Sequence, residues 1–169
     1  MIVLVIGGTR SGKSEVGERL AARFGGPVTV VVPGPVDDPD LAARIAAHRA
    51  RRPRSWRTVE CGADLPAALD RVAGPALVDS LGSWVARCPD LDAPPGPLLD
   101  ALHARADPTV LVTEEVGLAV HPPTELGRRF TDTLGTLNAA VADAADRVWL
   151  CVAGHLSALT RPDDALGAP

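Results

Sequence analysis

Apolar and polar positions along the chain alternate between two kinds of segment. Short, nearly continuous apolar runs recur at Ile2-Val3-Leu4-Val5-Ile6, Val28-Thr29-Val30-Val31-Val32, Ala76-Leu77-Val78, Thr109 to Thr113 and Val148 to Val152. Runs of that length, rich in β-branched residues and bounded by Gly, Pro or Asp, predict strands buried on both faces. Between them the apolar residues fall at helical spacing. Helices are predicted over Glu15 to Phe24, Pro39 to about Arg52, Asp64 to Ala73, Leu81 to Arg87, Leu98 to Arg105 and Thr124 to Ala145. Asp38 caps the second and Pro39 opens it, while Pro53 stops it. Arg57 to Cys61 reads as a further short strand, Pro89 to Pro97 as a proline-rich break, and Gly135 as a weak point inside the last helix.

Strands alternating with helices predict an α/β fold of the P-loop NTPase type, a mostly parallel sheet with helices on both faces. Ligands in such sheets gather at the carboxyl ends of the strands. The 169 residues suit one domain, residues 1–169, in which 155–169 reads as a loose tail. A formal charge of −4 argues against nucleic acid as a partner. The first apolar run is too short for a signal peptide or a membrane span, so no membrane insertion is expected. Cys61, Cys88 and Cys151 lack metal-ligand or C-x-x-C spacing, and reduced thiols in a cytoplasmic protein are the plain expectation.

One stretch dominates the chemistry. Gly7-Gly8-Thr9-Arg10-Ser11-Gly12-Lys13-Ser14 follows the first strand and runs into the first helix. This is the G-x-x-x-x-G-K-[ST] phosphate loop in its required context. Glycines let backbone N–H groups turn inward, and the helix adds its positive end. Lys13 is expected on the outer phosphates and the Ser14 hydroxyl on Mg2+. Lys13 is also the one lysine among seventeen basic residues, the place where a slender ammonium is needed and a flat guanidinium would not fit.

Asp79, at the end of its strand, suits a carboxylate that organises magnesium, or one that caps the next helix. His48 falls beside Leu41 and Ile45 at the edge of an apolar helical face, an ordinary place for a half-buried histidine. Arg44, Arg51 and Arg52 are close by in sequence, and three guanidinium groups make a phosphate site. Their field would keep the imidazole neutral, and a neutral imidazole beside a triphosphate is a nucleophile toward phosphorus. Glu114 and Glu115 suit either a substrate hydroxyl or solvent.

Taken together these motifs resemble the bifunctional adenosylcobinamide kinase/adenosylcobinamide-phosphate guanylyltransferase family of cobalamin biosynthesis. The likeness runs from the phosphate loop through Arg44-Ile45-x-x-His48-x-x-x-Arg52-Pro53-x-x-Trp56-x-Thr58-x-Glu60 and Val78-Asp79. It continues through Leu111-Val112-Thr113-x-Glu115-Val116-Gly117, Arg128-x-Phe130-x-Asp132-x-x-Gly135-x-x-Asn138 and Ala144-Ala145-Asp146-x-Val148-Trp149-Leu150. The resemblance implies phosphorylation of adenosylcobinamide by ATP or GTP, then transfer of GMP from GTP through a guanylyl-histidine at His48. It implies GTP contacts from the phosphate loop, Val32, Pro33 and Gly34, Arg49, Ala50, Arg51 and Arg52, Glu60 and Asp79, and a homotrimeric assembly. This chain departs from the family pattern at Pro33, in the proline-rich segment Ser80 to Pro97, after Gly154, and at Glu114, which replaces a common asparagine. Two plainer readings remain beside it: a small-molecule kinase in which His48 is structural, and a nucleotide-dependent switch.

Overall fold

The computed structural model describes residues 1–34, 50–118 and 120–167. Among the described residues seven strands form one sheet: β1 (Ile2–Gly7), β2 (Thr29–Val32), β3 (Arg57–Glu60), β4 (Ala76–Asp79), β5 (Thr109–Glu114), β6 (Arg147–Val152) and β7 (His155–Leu159). Their spatial order is β3-β2-β4-β5-β1-β6-β7. Every neighbouring pair is parallel except β6 and β7, which are antiparallel. The helices are α1 (Lys13–Ala21), α2 (Leu65–Asp70), α3 (Leu81–Val85), α4 (Pro95–Ala104), α5 (Glu125–Ala144) and α6 (Pro162–Leu166).

The strand pleat explains why nearly every residue of the central runs is apolar. Ile2 and Leu4 of β1 face one core, shared with α2, α3, α4 and α5, whereas Val3 and Val5 face the other, under α1. The same division separates Val31 from Val30, Val78 from Leu77, and Leu111 from Val110 and Val112. A strand with helices on both faces has no side left for polar residues. Close packing also sets the composition at Gly17 of α1, where an added Cβ would stand 3.3 Å from Leu77 Cδ1 and nearer still to Val112.

Polar residues tie the amino-terminal edge of the sheet. Asp146 accepts a hydrogen bond from the Ile2 N–H at 2.6 Å. The Arg105 guanidinium donates to Thr109 Oγ1 and to the carbonyls of Leu69, Val72 and Gly74, closing the ends of α2 and α4 over the strand starts. Burial lowers the pKa of this guanidinium from its ordinary value.

Two expectations change, and the long helix holds. Helix α4 begins at Pro95 rather than Leu98, because prolines in a first turn remove N–H groups that have no helical partner anyway. The last long helix runs through Gly135 as expected, with Leu134, Leu137 and Val141 of α5 buried on one side. Residues 155–169 are not a loose tail throughout: β7 pairs with β6 in full register from Val148↔Leu159 to Val152↔His155. Its residues are all exposed, so no apolar alternation marked it as a strand. Of the helix expected over Pro39 to Arg52, only Ala50 and the residues after it lie within the described residues; Ala50 and Arg51 are helical.

Candidate nucleotide site

The site forms where β1, β4 and β5 end side by side. Glu114 pairs with Gly7, and Asp79 with Val112, in the parallel registers. From Gly7 the chain turns into the phosphate loop. Arg10 and Gly12 have φ of 57° and 91°, and Gly12 leads directly into α1. Positive φ on either side of Ser11 turns the chain tightly, with the Ser11 N–H closing back onto Gly8 O at 3.2 Å, and brings the loop to the start of α1, a place that suits an anion. Gly12 is the cap residue of α1; its φ is left-handed and a Cβ there would stand 3.2 Å from Gly154 Cα, so glycine lets the loop close against that turn.

The loop is clamped from behind. Gly154 N–H donates to Ser11 O at 2.7 Å, and Cys151 Sγ approaches the same carbonyl at 3.2 Å. A Cβ on Gly7 would stand 2.5 Å from Cys151 O and 2.7 Å from Ser11 Oγ, so glycine is required there by contact. Ser11 Oγ is buried and, among the described residues, has no hydrogen-bond partner. An unsatisfied hydroxyl inside a phosphate loop fits a site made to take a polar ligand. Arg10, Ser11, Gly12, Lys13, Ser14, Glu15 and Arg51 line a cleft of about 400 Å³ here.

Lys13 Nζ donates to Gly8 O at 3.2 Å and lies 3.6 Å from Glu114 Oε1. Ser14 Oγ donates to Asp79 Oδ1 at 3.0 Å. The helix that follows Asp79 is capped by Ser80, whose Oγ accepts from Ser83 N–H at 3.3 Å, so capping is not the role of Asp79. Instead its second oxygen, Oδ2, accepts from Arg52 Nη2 at 3.0 Å. Arg52 Nε donates to Glu18 Oε1 at 2.9 Å, and Arg51 reaches Glu18 Oε2 at 3.5 Å. The Arg52, Asp79 and Glu18 side chains are only 6%, 9% and 10% exposed. A guanidinium so buried is held by both carboxylates, which is how a buried charge becomes tolerable.

The structure therefore brings together the phosphate loop, Asp79, Arg51 and Arg52. It also places Gly34 (φ 105°) beside Glu60: a Cβ on Gly34 would lie 3.6 Å from Glu60 Oε2. Val32 and Pro33 lead into that turn. His48, Arg49 and Arg44 lie outside the described residues. Trp56 and Thr58, with Ala50, Arg52, Pro53 and Arg54, line a second open cleft of about 530 Å³.

Glu18 and Ser80 carry site geometry that the sequence reasoning did not single out. Glu18 sits one helical turn beyond Ser14, so both point along the same face of α1 toward Asp79 and Arg52. That spacing was a readable signal. Ser80 was less visible, because its second role, donating its one proton to the Glu114 carboxylate, whose oxygens lie at 3.0 and 3.1 Å, depends on the neighbouring strand.

Oxygen ligands suit magnesium, and Ser14 Oγ and Asp79 Oδ1 stand together beside the phosphate loop. Among the described residues no group of three or more His, Cys, Asp and Glu side chains is arranged around a metal. A magnesium ion that takes one or two protein ligands and fills its shell with phosphate oxygens and water needs no such cage.

Residues 3–159 match the family model for cobinamide kinase / cobinamide phosphate guanyltransferase. The bifunctional adenosylcobalamin biosynthesis protein CobP of Pseudomonas aeruginosa is 42% identical, over 89% of this chain and 92% of its own length. The bifunctional adenosylcobalamin biosynthesis protein CobU of Salmonella typhimurium is 33% identical, over 91% of this chain and 97% of its own. In architecture, the flagellar accessory protein FlaH of Methanocaldococcus jannaschii superposes with a TM-score of 0.52 at 12% identity, covering 92% of this chain and 74% of FlaH. That likeness concerns the fold alone, the mostly parallel sheet with helices on both faces expected from the strand pattern.

Proposed function

The chain belongs to the cobinamide kinase / cobinamide phosphate guanyltransferase family and is an enzyme with both activities, and we propose that it runs them from one nucleotide site. In the first reaction the hydroxyl of adenosylcobinamide attacks the γ-phosphorus of a nucleoside triphosphate, ATP or GTP, and the diphosphate leaves. In the second, an uncharged nitrogen of His48 attacks the α-phosphorus of GTP and pyrophosphate leaves. A phosphate oxygen of adenosylcobinamide phosphate then attacks the same phosphorus, breaks the P–N bond and frees His48 with adenosylcobinamide-GDP as product. The observation that carries this reading is the meeting of Lys13, Ser14 and Asp79 at one strand edge, in a chain matched to the family from residue 3 to 159.

The residues divide the work by chemistry. The loop amides of Gly8 to Ser14 bind and orient the phosphates, and Lys13 leaves Gly8 O and Glu114 to neutralise them. Ser14 and Asp79 would hold magnesium, which when bound neutralises phosphate charge. Arg49 and Arg51 supply positive charge toward the departing pyrophosphate. Arg52 is tied to Asp79 and to Glu18 of α1, so it anchors the chain at its own position beside the phosphate loop. Val32, Pro33, Gly34, Ala50 and Glu60 complete the nucleotide contacts.

The enzyme works in the cytoplasm as a homotrimer on this reading. Support for association comes from the outer edge of the sheet, where Val152, Leu156 and Leu159 are exposed on β6 and β7. Among the described residues no helix is long and apolar enough to cross a membrane.

Product analysis tests the two-step reading. The purified chain, adenosylcobinamide, ATP, GTP and magnesium should give first the phosphate and then the GDP derivative by mass spectrometry, and Lys13→Ala should give neither. Accumulation of the phosphate alone, with GTP in excess, would leave a simple kinase.

A further inference from the structure

We propose that Glu114 is the proton acceptor of the kinase step, the carboxylate that takes the proton from the attacking hydroxyl. The assignment rests on the two-reaction reading above and adds a residue to it, one particular to this chain, since asparagine is common at this position in the family. Glu114 ends β5 next to Gly7, where the phosphate loop begins. Its Oε1 stands 3.6 Å from Lys13 Nζ, the group that a bound triphosphate draws to its outer phosphates. The carboxylate is thus at the γ-phosphate end of the site, where the acceptor hydroxyl must arrive.

Its orientation is set on three sides. Ser80 Oγ lies 3.0 and 3.1 Å from the two carboxylate oxygens. Gly82, at the first turn of α3, lets the carboxylate in: a Cβ there would collide with Oε2. Behind it, Asn138 Nδ2 donates to Glu114 O at 2.9 Å while Asn138 Oδ1 accepts from Thr113 Oγ1 at 2.7 Å, pinning the strand end to α5. The side chain is still 30% exposed, open to an incoming substrate. By contrast, Glu115 turns its carboxylate onto the N–H groups of Gly117 and Leu118.

As the substrate oxygen forms its bond to the γ-phosphorus, the O–H bond breaks and its proton passes to a Glu114 oxygen. The bond from the γ-phosphorus to the bridging oxygen breaks, and its electron pair leaves with the nucleoside diphosphate. General-base help of this kind contributes roughly 10²- to 10⁴-fold. Guanylyl transfer differs in one respect. Its acceptor is a phosphate monoester whose oxygen is already ionised, so no base is required.

This difference supplies the test. Glu114→Gln keeps the shape and still accepts from Ser80, but takes no proton. The two half-reactions are measured separately, phosphorylation of adenosylcobinamide with ATP and guanylylation of preformed adenosylcobinamide phosphate with GTP. The ratio of kinase kcat to guanylyl-transfer kcat should fall at least 30-fold relative to the native chain, and Glu114→Asp should recover part of it. An unchanged ratio would overturn the assignment. If both activities hold, Glu114 is dispensable; if both fall together, it serves only to place Lys13. A native chain with no kinase activity at all would sink the two-reaction reading, and this assignment with it.

Discussion

Ser14 and Asp79 are joined by a 3.0 Å hydrogen bond from Ser14 Oγ to Asp79 Oδ1, although 65 residues separate them. The contact exists because α1 leaves β1 at its carboxyl end and β4 ends two strands away, so both reach the same edge of the sheet. Asp79 keeps its other oxygen on Arg52. A single carboxylate therefore touches both the hydroxyl proposed to take magnesium and Arg52, which ends the stretch expected to carry the nucleophile.

Asp79→Asn tests that link. The amide keeps the volume and can still meet Ser14, but it loses the charge that holds Arg52 and attracts a cation. Turnover in both half-reactions should fall roughly 100-fold. Nucleotide affinity, measured by calorimetry with magnesium and with EDTA, should lose most of its dependence on the metal. Undiminished magnesium dependence would remove Asp79 from the metal site.

Gly7 makes a contact prediction. Because a Cβ would lie 2.5 Å from Cys151 O and 2.7 Å from Ser11 Oγ, Gly7→Ala must displace either β6 or the loop. Nucleotide binding should weaken by about tenfold or more, with a stability loss of about 1–3 kcal/mol. Gly8→Ala meets nothing within 4 Å and should leave the melting temperature unchanged. Thermal melts of the two variants, with and without GTP, read both effects.

Much of this was legible beforehand, and the reasons differ from element to element. The central strands announced themselves because a position buried on both faces admits almost nothing polar, as Val3, Leu4 and Val5 illustrate. The phosphate loop was legible because its chemistry is local: one strand end, one turn and one helix start hold every atom. The ion pairs of Arg52 were not legible, since sequence placed it among guanidinium groups awaiting phosphate, while the fold gives it Glu18 and Asp79. Strand β7 escaped for the opposite reason, because an exposed edge strand carries no burial pattern.

Cys61 offers a pH prediction. Burial, the largest cause, pushes its thiol from 9.0 up to about 11. At pH 8 the thiolate fraction is then about one in a thousand, so alkylation should be slow and should quicken up to about pH 11. The sign of the linked stability follows from proton binding. Between about pH 9 and 11 the folded chain retains a proton that the unfolded chain has lost, so this contribution is constant below pH 9 and declines above it. Iodoacetamide labelling of Cys61 against pH checks the first part, and urea unfolding at pH 8 and 10 the second.

The most direct measurement of the central claim is incubation of the native chain with GTP labelled at the α-phosphorus, followed by denaturation and counting of protein-bound label. The account predicts label that is lost in acid, survives base, is absent from His48→Ala, and is released onto added adenosylcobinamide phosphate. Label that persists in His48→Ala, or a native chain that turns over GTP and corrinoid without ever carrying label, would contradict it.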